Sequence, residues 1–237
     1  MTAPDMTAVE VGALRSSGPA MLIRRERLVA VLRRIEPRDR LLGLVEELAD
    51  AGVRVFEVTF DAPSAEADLG AIRTRLAGRS DGPFACGAGT VLTRSQLDGA
   101  IRGGAEFGVS PLFDRKLLAT AVAAGFPFVP GAFTPTEIRA AWQAGATFVK
   151  LFPASAVGPS FVRELRGPLS EIELLPTGGI GAANAAAFLE AGAVAVGVGG
   201  ALSGGSPTDR AAILAAVRGA ARRPDDRGAT PMGQGAG

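Results

Sequence analysis

The chain has 237 residues, 25 basic against 24 acidic, and a formal net charge of +1. This length suits one α/β domain with a large core, and the near-neutral charge offers no basic stripe for nucleic acid or an acidic membrane surface. No apolar run is long enough for a membrane span, no secretory leader is expected, and the single cysteine, Cys86, leaves no partner for an intrachain disulfide, which points to the cytoplasm.

Residues 1–20 read as a peripheral N-terminal extension. Short runs rich in Val, Phe and Leu, bounded by Gly or Pro, then predict strands at 28–33, 53–60, 84–90, 107–111, 126–131, 148–153, 173–177 and 194–199. Helical spacing fills the intervals, at 38–51, 64–77, 93–103, 114–124, 134–144, 159–166, 182–191 and 208–221. The first of these carries Leu41, Leu42, Val45 and Leu48 on one face. Five helices end in a glycine doublet or Ala-Gly, at Gly52, Gly104, Gly125, Gly145 and Gly192, and glycine accepts the left-handed conformation that stops a helix. About eight β-α units result, the count of a closed (β/α)8 TIM barrel over 21–221. An open doubly wound sheet is the rival arrangement. Residues 222–237, rich in Gly, Pro and charge, are expected to be disordered. In a barrel, the reacting groups belong at the C-terminal ends of the strands.

Histidine and tyrosine are absent. That removes His-based triads and bases and, with one cysteine, any expectation of a catalytic metal or other cofactor. Of the basic residues only Lys116 and Lys150 are lysine. Arginine stays protonated, whereas lysine can attack a carbonyl as an amine. Lys150 lies in the sixth strand, where alternation puts Phe148, Lys150 and Phe152 on one face. A buried ammonium is costly unless it is paired or gives up its proton. Glu57, in the second strand, shares an inward face with Val55 and Thr59. As a structural pair, Glu57 neutralises Lys150; as a functional pair, it also shuttles protons beside a Schiff base.

Other candidates lie at strand ends. Gly87-Ala88-Gly89-Thr90 closes strand three, letting a ligand approach the backbone and offering the Thr90 hydroxyl. The loops with Thr177, Gly178 and Gly179 after strand seven, and with Gly199 and Gly200 after strand eight, occupy the usual phosphate-cradle positions of barrels, or are tight turns. Arg33 at the end of strand one either grips an anion or is a solvated loop charge. Pro111 and Phe152 are candidate pocket walls. Cys86 and Trp142 read as packing residues.

Taken together, the segments Glu57-Val58-Thr59, Gly87-Ala88-Gly89-Thr90-Val91-Leu92, Val109-Ser110-Pro111, Thr134-Pro135-Thr136-Glu137, Lys150-Leu151-Phe152-Pro153-Ala154 and Pro176-Thr177-Gly178-Gly179-Ile180 resemble the 2-keto-3-deoxy-6-phosphogluconate and 4-hydroxy-2-oxoglutarate aldolases over about residues 27–203. The resemblance implies a metal-free class I aldolase, a homotrimer of barrels. It acts on a small keto acid, with no nucleic-acid or membrane partner. Lys150 would form the Schiff base, Glu57 would be the general acid/base, Thr90 would contact the pyruvyl carboxylate, and Thr177-Gly178-Gly179 would surround substrate and phosphate. Two positions depart from the pattern. Some members carry an arginine where this chain has Asp61, and a serine where it has Ala201, which opens the substrate choice to 4-hydroxy-2-oxoglutarate or a galactonate analogue. The rival functions are a barrel sugar-phosphate isomerase or epimerase using Glu57 as base, and a non-catalytic phosphate-metabolite binder.

Overall fold

The computed structural model describes residues 7–221, so the expectation for 222–237 lies outside the described residues. Helices α1 (Ala8–Arg15) and α2 (Gly18–Glu26) precede β1 (Leu28–Leu32) and α3 (Arg38–Asp50). Then come β2 (Val55–Thr59), α4 (Ala65–Ala77), β3 (Ala85–Gly89), α5 (Arg94–Arg102), β4 (Gly108–Val109) and α6 (Arg115–Ala123). Strands β5 (Phe128–Val129) and β6 (Gly131–Ala132), α7 (Pro135–Gln143), β7 (Val149–Leu151) and α8 (Gly158–Leu165) follow. The chain continues through β8 (Leu174–Pro176), α9 (Ala185–Glu190), β9 (Val196–Val198), α10 (Gly200–Ser203) and α11 (Pro207–Gly219). No helix among the described residues is long and apolar enough to cross a membrane.

Strand pairing is parallel throughout, in the orders β5-β4-β3-β2-β1-β9 and β6-β7-β8. A parallel bridge between Thr177 and Gly197 links the two sets. Two labels cover the fifth expected strand because Pro130 interrupts it. Proline has no N–H to give a ladder, yet its carbonyl still accepts from the Lys150 amide at 2.9 Å. On the other side Ser110 N–H donates to the Val129 carbonyl at 3.0 Å and Gly131 N–H to Leu112 at 3.2 Å.

Alternation sorts the strand residues. Leu28, Ala30, Leu32, Phe56, Val58, Cys86 and Ala88 meet the helices in one core, while Val29, Val55, Ala85, Phe107, Phe148 and Leu175 form a second, inner core. Helix α2 straddles the boundary expected at residue 20, and its Ala20, Leu22 and Ile23 join that inner core. They close the N-terminal ends of the strands. Burying each large side chain there is worth about 1.5–3 kcal/mol.

The helix ends follow from local chemistry. Thr93, Thr134 and Ser206 form capping boxes with Gln96, Glu137 and Asp209, satisfying amides that a helix start leaves open. All five helix-ending glycines have positive φ, from 67° to 108°.

Candidate active site

With the inner core filled from below, the C-terminal strand ends carry the polar side chains. Lys150 on β7 is 3% exposed and Glu57 on β2 is 1% exposed. Their Nζ and Oε1 atoms are 4.0 Å apart, too far for a direct hydrogen bond. Glu57 Oε1 is buried without a hydrogen-bond partner, an arrangement that costs free energy in an inert core. The Lys150 ammonium also lies 5.2 Å from the centre of the Phe152 ring.

Gly89 explains how Glu57 fits. A Cβ at that position would lie 2.0 Å from Glu57 Oε1, so only a residue without a side chain leaves the carboxylate its place. The next residue, Thr90, has φ 56°. A β-branched residue seldom adopts the left-handed region, and such strain gathers at functional sites.

Above the pair opens a cleft of about 490 Å³ lined by Arg33, Lys150, Phe152, Thr177, Gly178, Gly179, Gly199, Gly200 and Ala201, with Val31, Ile180 and Gly181. A cleft of this size suits a small metabolite. Eight of the expected site residues therefore meet in one cavity. Glu57 joins them through Lys150, and Thr90 through Arg33, whose Nη2 donates to Thr90 Oγ1 at 3.2 Å. Pro111 lies apart from this lining: its carbonyl carbon is 2.2 Å from where Gly131 would carry a Cβ, so it fills the wall at the interrupted strand. Val31 was not among the expected site residues, although its alternation with Val29 and Arg33 places it on the inward face. No sequence signal marks Ile180 and Gly181 apart from their neighbours.

The anomalous Asp61 has a clear setting. Its Oδ2 accepts from Arg33 Nη1 at 2.8 Å and lies 3.3 Å from Arg34 Nε, while its backbone carbonyl accepts from Arg34 Nη2 at 3.0 Å. Partial burial works to raise the Asp61 pKa, but the Thr59 hydroxyl and the two guanidinium groups outweigh it, and the carboxyl is held below the ordinary carboxylate value. Asp61 thus pairs with both arginines through Oδ2, while its Oδ1 is buried without a hydrogen-bond partner. Cys86 faces the helices, and burial, with Glu106 adding to it, pushes its thiol up to about 12. It is a packing residue and no nucleophile.

An inward amine beside an inward carboxylate, on parallel strands below a glycine-rich mouth, is the equipment of an α/β enzyme that works on a carbonyl. Known proteins point to the same class of enzyme. The family model described as "Aldolase: KDPG and KHG aldolase" matches residues 20–215. The 2-dehydro-3-deoxy-6-phosphogalactonate aldolase of Escherichia coli strain K12 is 35% identical over 192 residues, 80% of this chain and 91% of that protein. The 2-dehydro-3-deoxy-phosphogluconate aldolase of Haemophilus influenzae is 37% identical over 168 residues, 70% of this chain and 76% of its own. A crystal structure of KDPG aldolase from Legionella pneumophila, with pyruvate captured at low pH as a covalent carbinolamine intermediate, superposes with a TM-score of 0.70 at 25% identity. It covers 86% of this chain and 98% of that one. The chain belongs to the KDPG and KHG aldolase family, and as an aldolase it is a carbon–carbon lyase.

Proposed function

We propose that this chain is a class I aldolase that reversibly cleaves a 4-hydroxy-2-keto acid, 2-keto-3-deoxy-6-phosphogluconate, to pyruvate and glyceraldehyde 3-phosphate. One observation carries the reading: a buried lysine amine stands 4.0 Å from a buried carboxylate oxygen that has no hydrogen-bond partner. Lys150 attacks the C2 ketone, and the carbinolamine loses water to become a protonated imine. The Glu57 carboxylate takes the C4 hydroxyl proton, directly or through a water. The C3–C4 bond breaks, its electrons pass to the imine, and the aldehyde leaves. Glu57 returns a proton to C3 of the enamine, and hydrolysis of the imine frees pyruvate and the amine.

The remaining groups bind. Arg33 and Thr90 hold the carboxylate end. Backbone amides around Gly178 and Gly179, both at positive φ, and around Gly199 and Gly200 face the distal phosphate. Phe152 and Thr177 line the walls, and Pro111 supports one of them. The galactonate epimer and 4-hydroxy-2-oxoglutarate are the competing substrates to compare, given one relative of each sugar series. The eight expected strands close a TM barrel, a reading supported by the Thr177–Gly197 bridge and by the pairing of both halves of the interrupted strand with their neighbours. The family resemblance supports a cytoplasmic homotrimer.

The deciding experiment incubates the protein with pyruvate and borohydride and maps the product by mass spectrometry. A reduced pyruvyl adduct on Lys150 is expected. Failure to find one there rules out the Schiff-base mechanism.

A further inference from the structure

We propose that Asp61 is a positioning residue: by holding Arg33 against Thr90, it commits the Thr90 hydroxyl to donating its proton to the carboxylate of the bound keto acid. This rests on reading the cleft as a 2-keto-acid site. The three residues follow the ends of adjacent strands, Arg33 after β1, Asp61 after β2 and Thr90 after β3, and those strands are neighbours in the sheet. Arg33 donates through one terminal nitrogen to Asp61 Oδ2 at 2.8 Å and through the other to Thr90 Oγ1 at 3.2 Å.

A guanidinium only donates. In the Arg33–Thr90 contact the threonine oxygen must therefore accept, which leaves its one proton for another partner. A carboxylate, an acceptor without donors, is the complement of that hydroxyl. Without Asp61 the arrangement would be loose. The Arg33 side chain is 52% exposed while that of Asp61 is 17% exposed, and a free arginine loses rotamer entropy on ordering. Arg34 holds Asp61 in turn, through both its carboxylate and its backbone carbonyl. The rim keeps one net positive charge from two arginines and one acid. An acid at the mouth of an anion-binding cleft thus serves the cation beside it.

The test measures borohydride trapping of the full chain against pyruvate concentration, with acetone as a ketone lacking the carboxylate. In Asp61→Ala the half-saturating pyruvate concentration is expected to rise about tenfold, as for loss of a charge-assisted hydrogen bond, with acetone trapping altered by less than about twofold. Asp61→Asn, which keeps the shape, should show a smaller rise and guards against misfolding of the alanine variant. Adding Asp61→Ala to Arg33→Ala should weaken pyruvate no further, because both act through one relay. Unchanged half-saturation in Asp61→Ala, a parallel loss with both ketones, or additive effects in the double variant would overturn the relay. Absence of a pyruvate adduct in the wild type would instead overturn the keto-acid reading beneath it.

Discussion

The two ends of the strand set use the same residue types to opposite purpose. At the N-terminal end three arginines are engaged with the fold. Arg15 lies 3.4 Å over the Trp142 ring and donates to the Trp142 and Ala146 carbonyls. Arg24 pairs with Glu173 and stands over Phe148. Arg27 donates to the carbonyls of Ala220 and Ala221. At the C-terminal end charges are left under-satisfied: Glu57 Oε1 has no hydrogen-bond partner, its cation is 4.0 Å away, and Thr90 is held at φ 56°. These arginines at the base find partners on folding, and the mouth keeps part of its charge unresolved for a ligand.

That contrast can be broken by substitution. The largest effect is expected from Lys150→Met, which should abolish retro-aldol turnover by about 10⁴-fold or more and lower stability by about 3–5 kcal/mol, because Glu57 is left as an unpaired buried charge. Steady-state assays and urea unfolding would read the two. Glu57→Gln should lower kcat about 10²–10⁴-fold while pyruvate can still be trapped on Lys150; loss of trapping as well would argue against a proton-transfer role. Gly89→Ala drives a methyl into the Glu57 carboxylate and should reduce kcat about 10²-fold, with the pyruvate adduct still forming. At the base, Arg24→Ala should cost about 1–2 kcal/mol in urea unfolding and leave kcat unaltered, since Arg24 touches nothing in the cleft.

The smallest effect is a pH dependence. Asp61 lies below its ordinary value in the folded protein, so its stabilising contribution is complete above the unfolded pKa, about 3.9, and fades as pH falls through the lower folded value. The stability difference between wild type and Asp61→Asn should accordingly hold from neutrality down to about pH 4 and shrink only below it.

The contrast was half visible in the sequence. Period-two alternation put Lys150 and Glu57 inward, and scarcity of lysine drew attention to position 150. The helix-stopping glycines marked most element boundaries, because a left-handed residue is a local requirement that sequence spells directly. The partnerships of Asp61 were not legible. Its cations sit 27 and 28 positions earlier, and strand adjacency alone brings them near, so the residue looked like a misplaced acid. The break at Pro130 was open to reading from the missing N–H, but the apolar run on both sides masked it. The packing of Arg15 on Trp142 was invisible for the same reason as Asp61: it depends on where α1 docks, and nothing local fixes that.

The contact between Gly89 and Glu57 also bears on how such a site can change. The missing Cβ at 89 and the long acid at 57 fill the same few cubic ångströms. The two are coupled: a side chain at 89 displaces the carboxylate from its place, and a chain that keeps the glutamate in position keeps the glycine. The proton donor of this scaffold is therefore constrained by a residue that bears no chemistry of its own.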